Sequence, residues 1–236
     1  PLLSKFMNSE IIHEKIEGVI ADFGFGEVLQ TGRIDTEKLV TSYREYLKNA
    51  SKIMFKKFEH NAVQFINNSC LYQEIEAKRI VFCEGFRAIQ NNLFSWLPFT
   101  FAKGEIFDLK IPDLPQDRIY NRNGFIMPRA NGTFKMGATY RWNEMDEEST
   151  ERSKIELTEK LEKIINCNYE ILDQKASIRP TVKDRRPFIG NHPKHKNIFI
   201  FNGFGSKGVT LIPFFANHFT NVLNQTSTLM SEVNIE

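Results

Sequence analysis

Two short stretches near the carboxyl end of the 236-residue chain carry the residue types most suited to chemistry. The first, from Arg179 to Gly190, reads Arg-Pro-Thr-Val-Lys-Asp-Arg-Arg-Pro-Phe-Ile-Gly. A guanidinium at the end of a strand, with Pro180 fixing the backbone after it, can bind a carboxylate through two parallel hydrogen bonds. Arg179 is therefore the candidate for binding an acidic group, and a structural ion pair with Asp184 or Asp173 is the alternative.

The second stretch is a glycine turn. Gly203, Gly205 and Gly208 match the spacing G-x-G-x-x-G between a β-branched and aromatic run and an apolar segment of helix length. Such a turn presents backbone N–H groups to a phosphate or a flavin. A complete dinucleotide-binding fold also needs a second strand and an acidic residue about 20 positions further on, and only a short polar tail follows residue 225. An ordinary tight strand-to-helix turn is the alternative.

In this order and spacing, the two motifs resemble the C-terminal end of the FAD-dependent amine oxidoreductases, the superfamily of D-amino-acid oxidase, glycine oxidase and sarcosine oxidase. The resemblance covers most of the chain. Residues 124–129 and 132–139 are similar to two adjacent strands over the flavin in that family. Residues 32–39, 59–63 and 80–85 fall where its helix entry, its adenine-side strand and a second cofactor-domain strand belong.

The resemblance implies roles for individual residues. Arg179 is expected to hold the substrate carboxylate, and Phe125 and Tyr140 to contribute to the substrate site. Phe125 stands where some glycine-oxidase-like members have a tyrosine, which weakens the case for glycine as the substrate. Lys207 is expected to stabilise the reduced flavin at its N1–C2=O edge. The residues expected to bind the cofactor are Val63, Gly85, Gly203, Phe204, Gly205, Ser206, Lys207, Gly208, Val209 and Thr210.

The implied reaction transfers a hydride from the amine-bearing carbon of the substrate to flavin N5, after which the imine hydrolyses and oxygen or another acceptor reoxidises the flavin. The amino end of the sequence lacks the strand, glycine turn and acidic residue that bind the ADP half of FAD in this family. The chain thus looks like the C-terminal portion of a longer enzyme. By itself it is expected to bind FAD weakly or not at all and to be inactive.

Two other hypotheses stay open. One is a non-catalytic binding domain derived from the same fold. The other is the oxidase half of a bifunctional enzyme that modifies wobble uridine in tRNA, because the turn Gly203–Gly208 also resembles the flavin turn of those enzymes.

Composition limits the class of protein. A chain of 236 residues with 41% hydrophobic residues can bury the core of one large or two small domains. Its net charge of +2, with both signs interspersed, favours neither a nucleic acid nor a membrane partner, and no stretch approaches the roughly 20 apolar residues of a membrane span. The expected partner is a small-molecule amine or amino acid, and a homo-oligomer is compatible with the sequence.

The three cysteines lack metal-ligand spacing, so no metal site is expected. An odd number of cysteines without a secretory leader predicts a reducing compartment, by default the cytoplasm.

The pattern of helices and strands that must position these residues predicts an α/β (α+β) fold. In this fold, a remnant of an FAD-binding α/β domain accompanies a substrate domain with an antiparallel or mixed sheet and packed helices. Residues 1–34 and 98–178 are assigned to the substrate domain. Residues 35–97 and 179–236 are assigned to the FAD-binding domain.

Local signals predict individual elements. Asp35 is expected to cap a helix that ends near Asn49, Asn131-Gly132 to form a hairpin turn, and residues 149–165 to form a charged helix with one apolar face. The other predicted elements are a partly helical segment at 2–20, strands within 19–33, strands at 52–58, 63–67, 71–75, 79–83, 105–111, 119–120, 125–127, 134–139 and 171–178, and a final helix at 209–225.

Overall fold

A computed structural model describes residues 3–66 and 69–235. In chain order its helices and strands are α1 (Leu3–Phe6), β1 (Met7–Ile12), β2 (Phe25–Val28), α2 (Thr36–Asn49), β3 (Val63–Ile66), β4 (Ser69–Tyr72), β5 (Ile75–Ala77), β6 (Ile80–Phe82), β7 (Ala102–Lys110), β8 (Tyr120–Asn121), β9 (Phe125–Pro128), β10 (Phe134–Gly137), β11 (Arg141–Trp142), α3 (Glu151–Glu162), β12 (Glu170–Arg179), β13 (Phe188–His192), β14 (His195–Asn202) and α4 (Gly208–Leu223).

The chain forms two compact units, each assembled from separated segments. Unit 1 comprises Pro1–Ile53, Gly104–Tyr140 and Glu147–Ser177, and unit 2 comprises Met54–Lys103, Arg141–Asp146 and Ile178–Glu236.

Unit 1 is built on an antiparallel sheet. In it β7 pairs with β10, β10 with β9 and β9 with β8, while β12 also pairs with β7. Asn131-Gly132 forms the predicted turn between β9 and β10: the Arg129 N–H donates to the Thr133 carbonyl at 2.7 Å, and Gly132 adopts a left-handed φ of +80°. The pairing of β9 with β10 confirms the hairpin that the Asn-Gly signal predicts.

Helix α3 closes the core of unit 1. Its apolar residues Leu157 and Leu161 are fully buried with Phe107 and Ile126 of the sheet. The helix begins at residue 151 because the Thr150 hydroxyl accepts the Ser153 N–H, as an N-cap residue does. The charged helix predicted over residues 149–165 is therefore present, but it begins two residues later and ends three residues earlier than predicted.

A buried carboxylate fixes the start of α3. Glu105 of β7 is fully buried and accepts hydrogen bonds from the Thr150 N–H at 2.9 Å, the Thr150 hydroxyl at 2.8 Å and the Gln174 amide at 2.7 Å. Burial by itself raises the pKa of Glu105, but the bonds donated by Ser153, Thr150 and Gln174 outweigh it and leave the pKa below the ordinary value. Glu105 is thus charged at neutral pH and joins β7, α3 and β12.

Unit 2 contains two three-stranded sheets. One has the order β3-β4-β5 and is antiparallel, and the other has the order β13-β14-β6, in which β14 and β6 run parallel. The first residues of β7 pair here with β11. Helix α4 buries Phe215 and Phe219 in a cluster with Ile189 of β13.

Of two predictions near the amino end, one holds in part and one is wrong. The segment predicted to be partly helical, residues 2–20, is helical at Leu3–Phe6, but residues 7–12 form β1 because they pair with β2 in an antiparallel ribbon; residue 2 lies outside the described residues. Residues 52–58 form no strand, since no described strand pairs with them, and Phe58 instead stacks on Tyr72 at 4.2 Å. The helix capped by Asp35 is confirmed, with the Asp35 carboxylate accepting the Lys38 N–H at 3.0 Å.

Most of the other predicted strands agree with the structure to within a few residues. The segment predicted at 63–67 is β3, with residue 67 outside the described part of the chain. The segment predicted as one strand at 71–75 instead spans the turn between β4 and β5, which pair with each other, and of the strands predicted within the described residues 19–33 only β2 is present. The final helix begins at Gly208, one residue before its predicted start.

Candidate functional site

Two glycine turns lie at one edge of the parallel strand pair of unit 2. Strands β6 and β14 pair in parallel with Phe82 opposite Ile200. Gly85 follows the end of β6, and Gly203 follows the end of β14. Because parallel strands present their carboxyl ends at the same edge of a sheet, the two turns are neighbours, and this edge is where open α/β sheets bind their ligands.

The Arg-Pro motif and the glycine turn are joined by the backbone. The Gly205 N–H donates to the Pro180 carbonyl at 3.0 Å. Thr181, the next residue, exchanges backbone and side-chain hydrogen bonds with Thr100. Arg179 is half-buried at the end of β12. It directly precedes Pro180, whose carbonyl accepts the hydrogen bond from the glycine turn that the sequence indicates as the flavin turn.

The chain itself requires two of the glycines. Gly203 has φ +81°, and a Cβ atom there would lie 3.1 Å from Val182 Cγ1 and 3.2 Å from the Phe188 nitrogen. Gly205 has φ +53°, and its Cβ would lie 2.8 Å from Thr181 Cγ2. Close packing and left-handed backbone explain both glycines without a ligand.

Gly208 and Gly85 are different. Gly208 is the first residue of α4 with an ordinary helical φ of −53°, and an added Cβ would meet only Ile212 Cδ1 at 3.4 Å and Phe204 Cβ at 3.7 Å, which are normal contacts. Gly85 has φ +59°, but apart from its chain neighbours no described atom lies within 4 Å of the place of its Cβ. Gly85 therefore borders space that the described chain leaves open, whereas a Cβ at Gly208 would fall into ordinary contact with the chain itself.

The start of α4 is an electropositive position. Its N-cap residue Lys207 makes no side-chain capping bond, and no acidic residue lies in its first turn. The first N–H groups of a helix have no partner within the helix and carry the positive end of its dipole. Ser206, Lys207, Val209 and Thr210 are exposed around this end. Together these groups favour an electron-rich ligand atom at the start of α4.

Two residues predicted to bind the cofactor have buried side chains. Phe204 packs in the core of unit 2 with its ring 4.7 Å from that of Phe201, and Val63 is buried at the start of β3. Their side chains are part of the core, so only their backbone groups are available to a ligand.

The turn at Gly85 has an acidic residue that is fully engaged. One Glu84 oxygen lies 2.6 Å from His60 Nε2, and the other accepts a bond from the Asn91 amide at 2.9 Å. His60 and Asn91 were not singled out in the sequence, because their contact with Glu84 joins positions 24 and 7 residues apart without any motif.

The other predicted substrate residues lie in unit 1. Phe125 begins β9, and its ring covers Gly137, where an added Cβ would lie 3.3 Å from Phe125 Cζ. Tyr140 follows β10 and is 41% exposed. Phe125 is thus partly committed to packing, whereas Tyr140 presents its ring to solvent.

Lys103 is a buried charged residue whose burial the sequence analysis did not predict. Its side chain is 1% exposed, and its ammonium contacts Asp146 at 2.5 Å and Glu144 at 3.9 Å. Its position in a strand, between Ala102 and Gly104, gives no sign of burial. Because the two acidic partners lie in one short segment, Lys103 holds that segment against β7.

Two classes of site are not found in the described part of the chain. No group of three or more His, Cys, Asp or Glu residues is arranged to hold a metal ion there. None of the helices in residues 3–66 and 69–235 has the length and apolar character needed to span a membrane.

Comparison with protein families identifies the chain. The model of the family described as "DAO: FAD dependent oxidoreductase" matches residues 5–222. The chain belongs to this FAD-dependent oxidoreductase family.

Individual relatives of this oxidoreductase chain are more distant. Glycine oxidase of Bacillus subtilis (strain 168) is 26% identical over 212 residues, which cover 81% of this chain and 56% of the relative. A tRNA 5-methylaminomethyl-2-thiouridine biosynthesis bifunctional protein of Thiobacillus denitrificans is 26% identical over 146 residues, 57% of this chain and 24% of the relative. The crystal structure of glycine oxidase from Bacillus cereus ATCC 14579 has a TM-score of 0.75 at 16% identity, covering 89% of this chain and 62% of that structure.

These values establish the fold of the chain. The mixed helix and strand architecture is that of the FAD-dependent family. The chain spans a little more than half the length of the glycine oxidases that it matches.

FAD is the group that the family implies, and the edge formed by Gly85 and the start of α4 tests the fit. A bound ring system needs space beside the backbone and donors facing it. Gly85 borders open space, and the start of α4, which has no side-chain cap, supplies N–H donors beside the partly exposed Gly208. The residues of this chain therefore fit a flavin at this edge of unit 2.

Proposed function

We propose that this chain provides the flavin-facing edge and the substrate-side sheet of an oxidoreductase that oxidises an amine or an amino acid. The observation that carries the proposal is the uncapped start of α4 beside Gly208, in a chain that belongs to the FAD-dependent family. When bound, FAD supplies the chemistry by accepting a hydride at N5 from the amine-bearing carbon of the substrate.

The start of α4 has an electrostatic task. Its N–H groups at the positive end of the helix dipole and the Lys207 ammonium favour negative charge, which a flavin carries at its N1–C2=O edge when it is reduced. This part of the chain therefore binds the reduced cofactor more tightly than the oxidised one and raises its tendency to accept electrons. Ser206, Val209 and Thr210 contribute the exposed surface around the same position.

Arg179 has a positioning task. We propose that its guanidinium holds the substrate carboxylate in a bidentate pair, which fixes distance and orientation. Phe125 and Tyr140 are proposed to limit the shape of the substrate site. The mechanism needs no base from the protein, because placement and electrostatics are the contributions that the chain makes.

A second candidate function is the oxidase half of a tRNA-modifying enzyme. It is favoured by one observation: the bifunctional protein of Thiobacillus denitrificans, whose name describes thiouridine biosynthesis in tRNA, has the same sequence identity to this chain as glycine oxidase, 26%. The match with glycine oxidase covers 81% of this chain against 57%. We therefore prefer a free amine or amino acid as the substrate.

The proposed compartment is the cytoplasm. Cys70, Cys83 and Cys167 are all free thiols. Free cysteines in every position are typical of a reducing compartment.

A ligand series tests the proposal. We expect riboflavin and FAD to bind the chain with Kd values no tighter than roughly micromolar and within about tenfold of each other, because the turn contacts the ring system. ADP should not displace riboflavin. The measurement is quenching of flavin fluorescence in a titration with each compound. Failure of both flavins to bind at hundred-micromolar concentrations, or displacement of riboflavin by ADP, would contradict the proposal.

A further inference from the structure

One buried amide links the two glycine turns of unit 2. Asn202 is the last residue of β14 and is 4% exposed. Its amide nitrogen donates to the Gly85 carbonyl at 2.8 Å, and its side-chain oxygen accepts the Gly203 N–H at 2.8 Å. The two ends of one side chain therefore hold the turn after β6 and the turn after β14.

The two turns are not equally supported by the rest of the unit. The turn at Gly203 is confined by Val182 and Phe188 and is followed by the Gly205 bond to Pro180. The turn at Gly85 is held on one side by the bonds of Glu84 to His60 and Asn91, and has no described neighbour where a Cβ of Gly85 would point. The Asn202 amide links this turn directly to the better supported one.

Asn is suited to this task in a way that its close relatives are not. Its amide has a donor and an acceptor on one rigid plane, and both turns need the opposite partner. Aspartate keeps the bond from the Gly203 N–H but places a negative oxygen against the Gly85 carbonyl. Leucine fills the same volume and leaves both backbone groups without their partner in a buried position.

We propose that Asn202 is a positioning residue that holds the Gly85 turn and the Gly203–Gly208 turn at a fixed spacing, and that flavin binding by this chain requires this spacing. The inference rests on the proposed function, since it names what keeps the flavin-facing edge in shape. It assigns no contact between Asn202 and the flavin.

The test compares Asn202→Asp with Asn202→Leu, with Asn131→Asp as the matched control. The side-chain oxygen of Asn131 accepts hydrogen bonds from the N–H and the hydroxyl of Thr133, and aspartate keeps both. Melting temperatures first establish that each variant is folded. Asn202→Asp is the decisive variant, because it changes one donor into an acceptor at constant size.

Two readouts separate positioning from general stability. In the flavin-free chain, hydrogen exchange of the backbone around Gly85 should speed up at least tenfold in Asn202→Asp, while exchange in the core of unit 1 stays the same. The riboflavin Kd should rise at least tenfold in both Asn202 variants and less than twofold in Asn131→Asp.

The outcomes are distinguishable from failure of the proposed function. If the unsubstituted chain binds riboflavin and Asn202→Asp binds it within twofold, the inference is wrong. Unchanged exchange around Gly85 in folded Asn202→Asp would overturn it as well, whether or not riboflavin binds. If the unsubstituted chain binds no flavin, the proposed function fails, and the exchange data alone decide whether Asn202 couples the turns.

Discussion

The contrast between Gly205 and Gly208 gives the sharpest test of why this turn contains glycine. Replacing Gly205 with alanine forces a residue with a Cβ into a φ of +53°, which costs about 1–2 kcal/mol. The new Cβ lies 2.8 Å from Thr181 Cγ2. Thr181 is buried and its hydroxyl donates to the Thr100 carbonyl, so it cannot move freely, and such overpacking costs about 1–3 kcal/mol. We expect Gly205→Ala to destabilise unit 2 by about 2–5 kcal/mol.

Gly208→Ala is the matched variant. The backbone at Gly208 is already helical, and the nearest atom to the new Cβ is Ile212 Cδ1 at 3.4 Å. Alanine is favoured over glycine in a helix by up to about 1 kcal/mol. We therefore expect the free energy of unfolding to stay the same or to increase by at most about 1 kcal/mol.

Tryptophan fluorescence during urea unfolding is the assay. Both tryptophans of the chain, Trp96 and Trp142, belong to unit 2, so their emission reports on that unit. A midpoint for Gly205→Ala equal to that of Gly208→Ala would refute the reasoning. It would mean that the packing against Thr181 does not determine the residue at position 205.

Three further predictions concern charged groups. In the flavin-loaded enzyme, Arg179→Ala should raise KM for a carboxylate-bearing amine by an amount corresponding to about 1.5–3 kcal/mol, and Arg179→Lys should restore only part of it; unchanged steady-state kinetics in both variants would favour the structural ion pair. The pKa of Glu105 is lowered in the folded chain, so its stabilising effect is present above the ordinary value of 4.5 and is lost as pH falls below it. In urea unfolding, the free energy of unfolding of Glu105→Gln should be lower at pH 7 by about 1–3 kcal/mol and should depend less on pH between 5 and 3. Parallel pH curves for the two proteins would count against this. Burial, with the charges of His195 and Lys194, lowers the pKa of His192, so the unfolded chain binds the proton first and stability falls as pH drops below 6.5; His192→Leu should remove that slope in unfolding curves between pH 7 and 5.5, and a slope that persists would show that another group causes it.

The fold was predictable where local signals coincide with the final packing. Asp35 caps α2 and Asn131-Gly132 forms its hairpin because capping and turn chemistry depend on neighbouring residues. Residues 7–12 could not be assigned from periodicity, since their pairing with β2 decides their conformation. Residues 52–58 have strand-like composition, but composition cannot show whether a partner strand is present.

The motifs of the candidate site were predictable from the sequence, but the hydrogen bonds that join them were not. The spacing of Gly203, Gly205 and Gly208 indicates a glycine turn, but only the structure separates the two glycines that the chain itself needs from Gly208, where an added Cβ would make only ordinary contacts. Asn202 lies between apolar residues and Gly203 and reads as an ordinary turn residue. Its bond to Gly85 spans 117 positions and has no signature in the sequence.

The central claim is that a flavin lies against the start of α4 at Gly208. Titration of FAD into the chain, into Gly208→Val and into Gly32→Val tests it most directly, with flavin fluorescence as the readout. Gly32 is the control because its backbone is ordinary and an added Cβ meets no described atom within 4 Å. We predict that Gly208→Val weakens FAD binding at least tenfold while Gly32→Val leaves it unchanged. Equal FAD affinity of Gly208→Val and the unsubstituted chain would contradict the claim, and nanomolar binding unaffected by either substitution would show that the cofactor site lies elsewhere in the chain.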